Sequence, residues 1–83
     1  MKLNKQVIVQ KLGKTFVVYD NNHSILHEFN QVGHRILELI EKGYTKNKIV
    51  AKIVSEFDVS KPQASEDVEE FLEVLVKKDL ITL

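Results

Sequence analysis

Ser24-Ile25-Leu26-His27-Glu28-Phe29-Asn30-Gln31-Val32-Gly33-His34-Arg35-Ile36-Leu37 changes its period halfway along. Up to Phe29 it reads as a short strand, with side chains alternating between two faces. From Asn30 the apolar residues Val32, Ile36, Leu37 and Ile40 share one helical stripe. Asn30 suits the N-cap, because its side chain can accept from an orphan N–H of the first turn. Gly33 is unfavourable inside a helix; it either admits a closely approaching backbone or is incidental. Gly43 fits the position just past the helix end.

Working outward toward the N-terminus, Thr15–Asp20 and Gln6–Leu12 are rich in β-branched residues and read as two more strands. Gly13-Lys14 joins them. Asn21-Asn22-His23 forms the next turn, since Asn tolerates positive φ. Toward the C-terminus, Thr45 caps a second helix with the stripe Ile49, Val50, Ile53, Val54 and Phe57, which Asp58-Val59 breaks. Ser60-Lys61-Pro62-Gln63 matches a capping box with an early proline. The third helix carries Ala64, Val68, Phe71, Leu72 and Leu75 on its core face, and Lys77-Lys78 suits its C-terminus. Leu80–Leu83 reads as an apolar tail packed on the core or loosely strand-like. The expectation is a single α+β domain over residues 1–83, winged helix-turn-helix-like: a three-stranded antiparallel sheet followed by a three-helix bundle, in the order βββααα.

Eighty-three residues with 43% hydrophobic and 29% charged side chains fit one small globular core. The absence of cysteine excludes disulfides and thiolate metal sites. No apolar run approaches the roughly 20 residues needed to span a bilayer. These features fit a soluble cytoplasmic protein with no membrane partner. Formal net charge is zero, but lysines crowd the first segment and acids the last helix.

The motifs of nucleotide-binding loops, serine hydrolases and zinc peptidases are missing. On a strand, His23 and His27 point to one face roughly 13 Å apart, too far to share a metal. His34 reads as an exposed helix position. Glu66, Glu69, Glu70 and Glu73 read as a solvated helix face rather than catalytic carboxylates, which need a cleft. No enzyme, cofactor or metal is expected. A nucleic-acid-binding winged helix is the alternative from another class. Against it, the last helix is acidic and Arg35 is the only arginine. A third reading is an adaptor whose third strand pairs with itself in a dimer.

Phe29-Asn30-Gln31-Val32-Gly33-His34-Arg35-Ile36-Leu37, Gly43-Tyr44-Thr45, Asp67-Val68-Glu69-Glu70-Phe71-Leu72 and Leu80-Ile81, in this order and spacing, resemble the PqqD-like family over roughly residues 5 to 82. These are the RiPP recognition elements, which bind the leader peptides of ribosomally made precursors. Asp79 departs from the pattern, standing where the family usually has glycine. The resemblance implies a stand-alone domain that adds the leader as a further antiparallel strand to the third strand and packs it against the third helix. It also implies delivery to a separate processing enzyme: a radical SAM enzyme, a leader peptidase or a cyclase.

The residues point to the same place. The third strand, Ser24, Ile25, Leu26, His27, Glu28 and Phe29, can lie on a sheet edge and carries neither proline nor lysine to guard it. On the third helix, Asp67, Phe71, Val74 and Lys78 form a flanking stripe at helical spacing, beside Leu75 of the core face. Val76, with Glu69 and Leu72, is the mirror flank, and the choice between the flanks stays open. Asp67 matches the family's helix-three aspartate and could pair with a basic or polar leader group. A monomer or weak dimer is expected.

Overall fold

The computed structural model describes residues 1–83. The order is β1 (Lys2–Leu3), β2 (Val7–Leu12), β3 (Thr15–Asp20), β4 (Ile25–Glu28), α1 (Gln31–Glu41), α2 (Lys46–Phe57), α3 (Lys61–Lys77) and β5 (Ile81–Thr82). The antiparallel sheet β2-β3-β4 followed by three helices is the architecture the periodicities predict. The anticipated third strand is β4. No helix is long and apolar enough to cross a membrane.

The helix starts follow the capping logic. The side chains of Asn30, Thr45 and Ser60 accept from the N–H groups of Gly33, Lys48 and Gln63. The reciprocal half of the expected capping box is different: the Gln63 carboxamide donates to Asp67, one turn further on, at 2.8 Å. Gly43 takes φ 87 just past α1. The β3–β4 turn also departs from expectation, because Ser24 rather than an Asn adopts positive φ, at 54. Ser24 therefore belongs to the turn, and the strand begins at Ile25.

A second ladder lies outside the expected meander. The apolar tail ends in β5, which pairs antiparallel with β1 (Lys2 opposite Thr82, Leu3 opposite Ile81). It ties both ends of the chain to the core, where Leu80 and Ile81 are buried. Asp79 precedes this strand with φ 58. That left-handed backbone is the conformation glycine adopts without cost, and it explains why glycine suits this position. Here Asp, which tolerates it better than most residues, accepts from the Asn4 side chain through its backbone oxygen and its carboxylate.

The core is one cluster in which Val18 of β3 meets Ile36, Leu37, Leu39 and Ile40 of α1, Ile49 and Ile53 of α2, and Val68, Leu72 and Leu75 of α3. His34 is the main correction among side chains. It is 6% exposed rather than solvated. Its ring lies 4.5 Å from that of Phe16, and its Nδ1 is shielded without a hydrogen-bond partner. The inner sheet face, which carries Phe16 and Val18, has closed over it.

Candidate functional site

β4 pairs only with β3, so its other side is an open edge. The register sets Asp20 opposite Ile25, Tyr19 opposite Leu26, Val18 opposite His27 and Val17 opposite Glu28. Phe29 N–H still reaches the Phe16 carbonyl at 3.4 Å. Backbone groups in an antiparallel ladder alternate every residue. Phe29, His27 and Ile25 therefore turn their N–H and C=O toward β3, while Leu26 and Glu28 turn theirs outward. Two residues thus present four free backbone groups.

Side chains alternate on the same strand. Ile25, His27 and Phe29 share the inner face with Val18 and Asp20. Leu26 and Glu28 share the outer face with Tyr19. Leu26 is 58% exposed and Ile25 46%. The shielded Nε2 of His27 has no hydrogen-bond partner. Its ring stacks at 6.0 Å on Phe29.

Phe29 links the strand to α3. Its ring meets Phe71 edge-on, 5.2 Å between centroids. Gly33 of α1 makes room for this pair, since a Cβ there would lie 3.0 Å from Phe71 Cζ and 3.2 Å from Phe29 Cβ. The close approach at Gly33 is therefore made by an aromatic ring rather than by backbone. No spacing rule could have revealed it, because Phe71 lies far along the chain from Phe29 and Gly33.

Phe71 shows which flank of α3 stands beside β4. Val74 and Lys78 follow it at helical spacing and are exposed, and Asp67 precedes it by one turn. Leu75 is fully buried, beneath this stripe rather than on it. Val76 lies on the other flank, where with Leu72, Glu73, Lys77 and Leu83 it lines a hollow of about 430 Å³. Five surface hollows lie elsewhere on the molecule, none of them lined by a residue of β4. The candidate site is an edge and a helix flank.

The turn that starts β4 is held by Asp20. Its Oδ1 accepts from the N–H of Asn22 at 2.9 Å and of His23 at 3.3 Å, and His23 Nδ1 lies 2.7 Å from Oδ2. Burial alone would push this carboxyl up. The His23 ring and the two backbone donors outweigh it and hold the group below the usual carboxylate range. Asp20 was not among the expected site residues, although an Asp just before Asn-Asn is a recognisable turn signal.

The chain superposes on two solved proteins with a TM-score of 0.88 each. One is described as TbiB1 in complex with the TbiA(beta) leader peptide; it is 29% identical, with 96% of this chain and 93% of that chain covered. The other is a lasso peptide synthetase B1 complexed with the leader peptide, 16% identical, with 99% and 96% covered. At that identity the second likeness speaks for the fold alone. No curated protein matches the chain in sequence. Residues 15–81, from the start of β3 into β5, match the family described as Coenzyme PQQ synthesis protein D (PqqD), and the chain belongs to that family.

Proposed function

We propose that this domain is a leader-peptide recognition element that takes an extended segment of a ribosomally made precursor as a fourth strand on β4. The observation that carries this reading is the open β4 edge, with the backbone groups of Leu26 and Glu28 turned outward beside the exposed Val74 flank of α3. The likeness to TbiB1, solved with a leader peptide, supports it.

The energetics require both halves. Four hydrogen bonds at about 0.5–1.5 kcal/mol each give roughly 2–6 kcal/mol. Micromolar binding needs about 8 kcal/mol net, after the cost of ordering the peptide. Two or three apolar leader side chains, buried at about 1.5–3 kcal/mol each, close the difference. Ile25, Phe71 and Val74 offer them a surface. Ser24 shapes the turn, and Leu75 supports the flank from beneath. The domain then presents the held precursor to a processing enzyme, of the radical SAM, leader-peptidase or cyclase class.

The acidic, exposed surface of α3 gives no support to a nucleic-acid-binding role, in which a late helix needs positive charge near phosphates. The test is an amide-resolved NMR titration with the leader segment of the precursor encoded beside this gene. Shifts should cluster on β4 and on the Asp67–Lys78 face. Shifts confined to α2, β1 and β5 would remove the site.

A further inference from the structure

The two walls of the proposed site run in opposite directions, and this orients what lies between them. Phe71 meets Phe29 at one end. At the other, Asp79, just past α3, bonds with Asn4, and Asn4 accepts from the N–H of Val7 at the start of β2. Val7 stands opposite Asp20, which stands opposite Ile25. So α3 advances from the Phe29 end to the Ile25 end, while β4 advances the other way. The reach is comparable: seven residues of helix from Phe71 to Lys78 rise about 10 Å, and the four-residue strand about 13 Å. A strand added antiparallel to β4 runs parallel to α3, with its N-terminal half at the Phe29–Phe71 end.

Charge differs between those ends. Glu28, Asp67 and Glu70 lie at the Phe29–Phe71 end, and none of them is in an ion pair; Lys11 and Lys14 reach the same end of the sheet, but on β2 and the β2–β3 turn, across β3 from the open edge. Asp67 is the seventh residue of α3, beyond the first turn over which the helix dipole is felt. At the Ile25 end, Lys78 on this flank and Lys77 on the other precede Asp79, and the negative end of the helix dipole offsets their charge. The open ladder makes the site; the carboxylates select what enters it.

We propose that the segment bound here lies parallel to α3 and carries basic side chains in its N-terminal half, opposite Glu28, Asp67 and Glu70, with apolar side chains against Ile25 and Val74 beyond them. This rests on the peptide-capture reading above. The test selects a displayed library of random dodecapeptides on the intact chain at about 0.15 M salt, where exposed charges beyond about 8 Å are screened. Enriched peptides should place Lys or Arg in the N-terminal half more often than in the C-terminal half. Replacing those bases by Glu in the best peptide should weaken binding roughly three- to tenfold. The charge-reversed Asp67→Lys/Glu70→Lys chain should recover the loss.

Direction is read separately. A nitroxide on the peptide's N-terminus should broaden the amides of Phe29 and Phe71, and one on its C-terminus those of Ile25 and Lys78. Bases without positional preference, bases concentrated in the C-terminal half, or the opposite broadening pattern would overturn the inference and leave peptide capture standing. Failure to enrich any peptide, or peptides that bind Leu26→Pro undiminished, would overturn the capture reading itself.

Discussion

Phe29 and Phe71 stand edge to face at 88°, one closing the sheet's last strand and the other on the third helix. Gly33 faces the Phe71 ring and the Cβ of Phe29. In an exposed helix interior, Gly→Ala gains about 1 kcal/mol. Here the new methyl would lie 3.0 Å from Phe71 Cζ, and overpacking of this kind costs about 1–3 kcal/mol. Gly33→Ala should therefore destabilise the domain by about 1 kcal/mol, read from the urea midpoint. Combined with Phe71→Leu, the same substitution should become neutral or stabilising relative to Phe71→Leu alone. A Gly33→Ala that stabilises the otherwise unchanged chain would show that the junction has slack.

The alternation deduced for β4 can be read without any ligand. Amide exchange should be slow at His27 and Phe29 and fast at Leu26 and Glu28. Leu26→Pro removes an N–H that bonds nothing within the fold, so it should cost less than about 1 kcal/mol, as proline is tolerated on edge strands. His27→Pro removes a ladder bond and should cost at least about 1 kcal/mol more. Equal losses from the two would mean that the ladder phase is wrong.

Much of the fold could be read from the chain because strong local signals agree with it. The change of period at Asn30, the three helix caps and Gly43 all act within one turn of chain. The β1–β5 ladder could not be read so, because two-residue strands have no period and their partners lie at opposite ends of the sequence. His34 reads as exposed by helical phase alone. Its burial comes from Phe16, whose position over α1 is a property of tertiary packing. Of the site, the edge strand was legible from its unguarded residues. The helix flank was not, since Val74 and Val76 look equivalent until Phe71 is seen against Phe29.

That contact predicts that the two flanks differ in leader binding. Val74→Asp places a charge beside the added strand and should weaken leader binding at least tenfold in a polarisation or calorimetric titration, with the melting temperature nearly unchanged. Val76→Asp, equally exposed but on the hollow with Leu83, should change affinity less than about twofold. The reverse pattern would move the peptide to the far flank of α3.

Acid should loosen the turn that launches β4. The Asp20 carboxyl titrates below its ordinary value of 3.8 in the folded protein. A depressed carboxylate contributes stability that is complete above the unfolded value and lost as pH falls through the folded one. Glu56, held by a two-point bond to Arg35 at 2.8 and 3.0 Å, is likewise lowered from 4.5 and has the same sign. Stability should therefore be flat with respect to these groups above about pH 5 and decline as pH falls below their ordinary values of 4.5 and 3.8. Asp20→Asn keeps an acceptor for the N–H groups of Asn22 and His23 but has no carboxyl to protonate. It should be less stable than the parent at pH 6, and the difference should shrink as pH falls below 3.8. Glu56→Gln should behave the same way at the α1–α2 pair. The two substitutions differ in where the damage appears: at pH 6 only Asp20→Asn should speed amide exchange at His27 and Phe29, because only Asp20 holds the strand's first turn. Equal acceleration by both would show that the ladder responds to global stability alone.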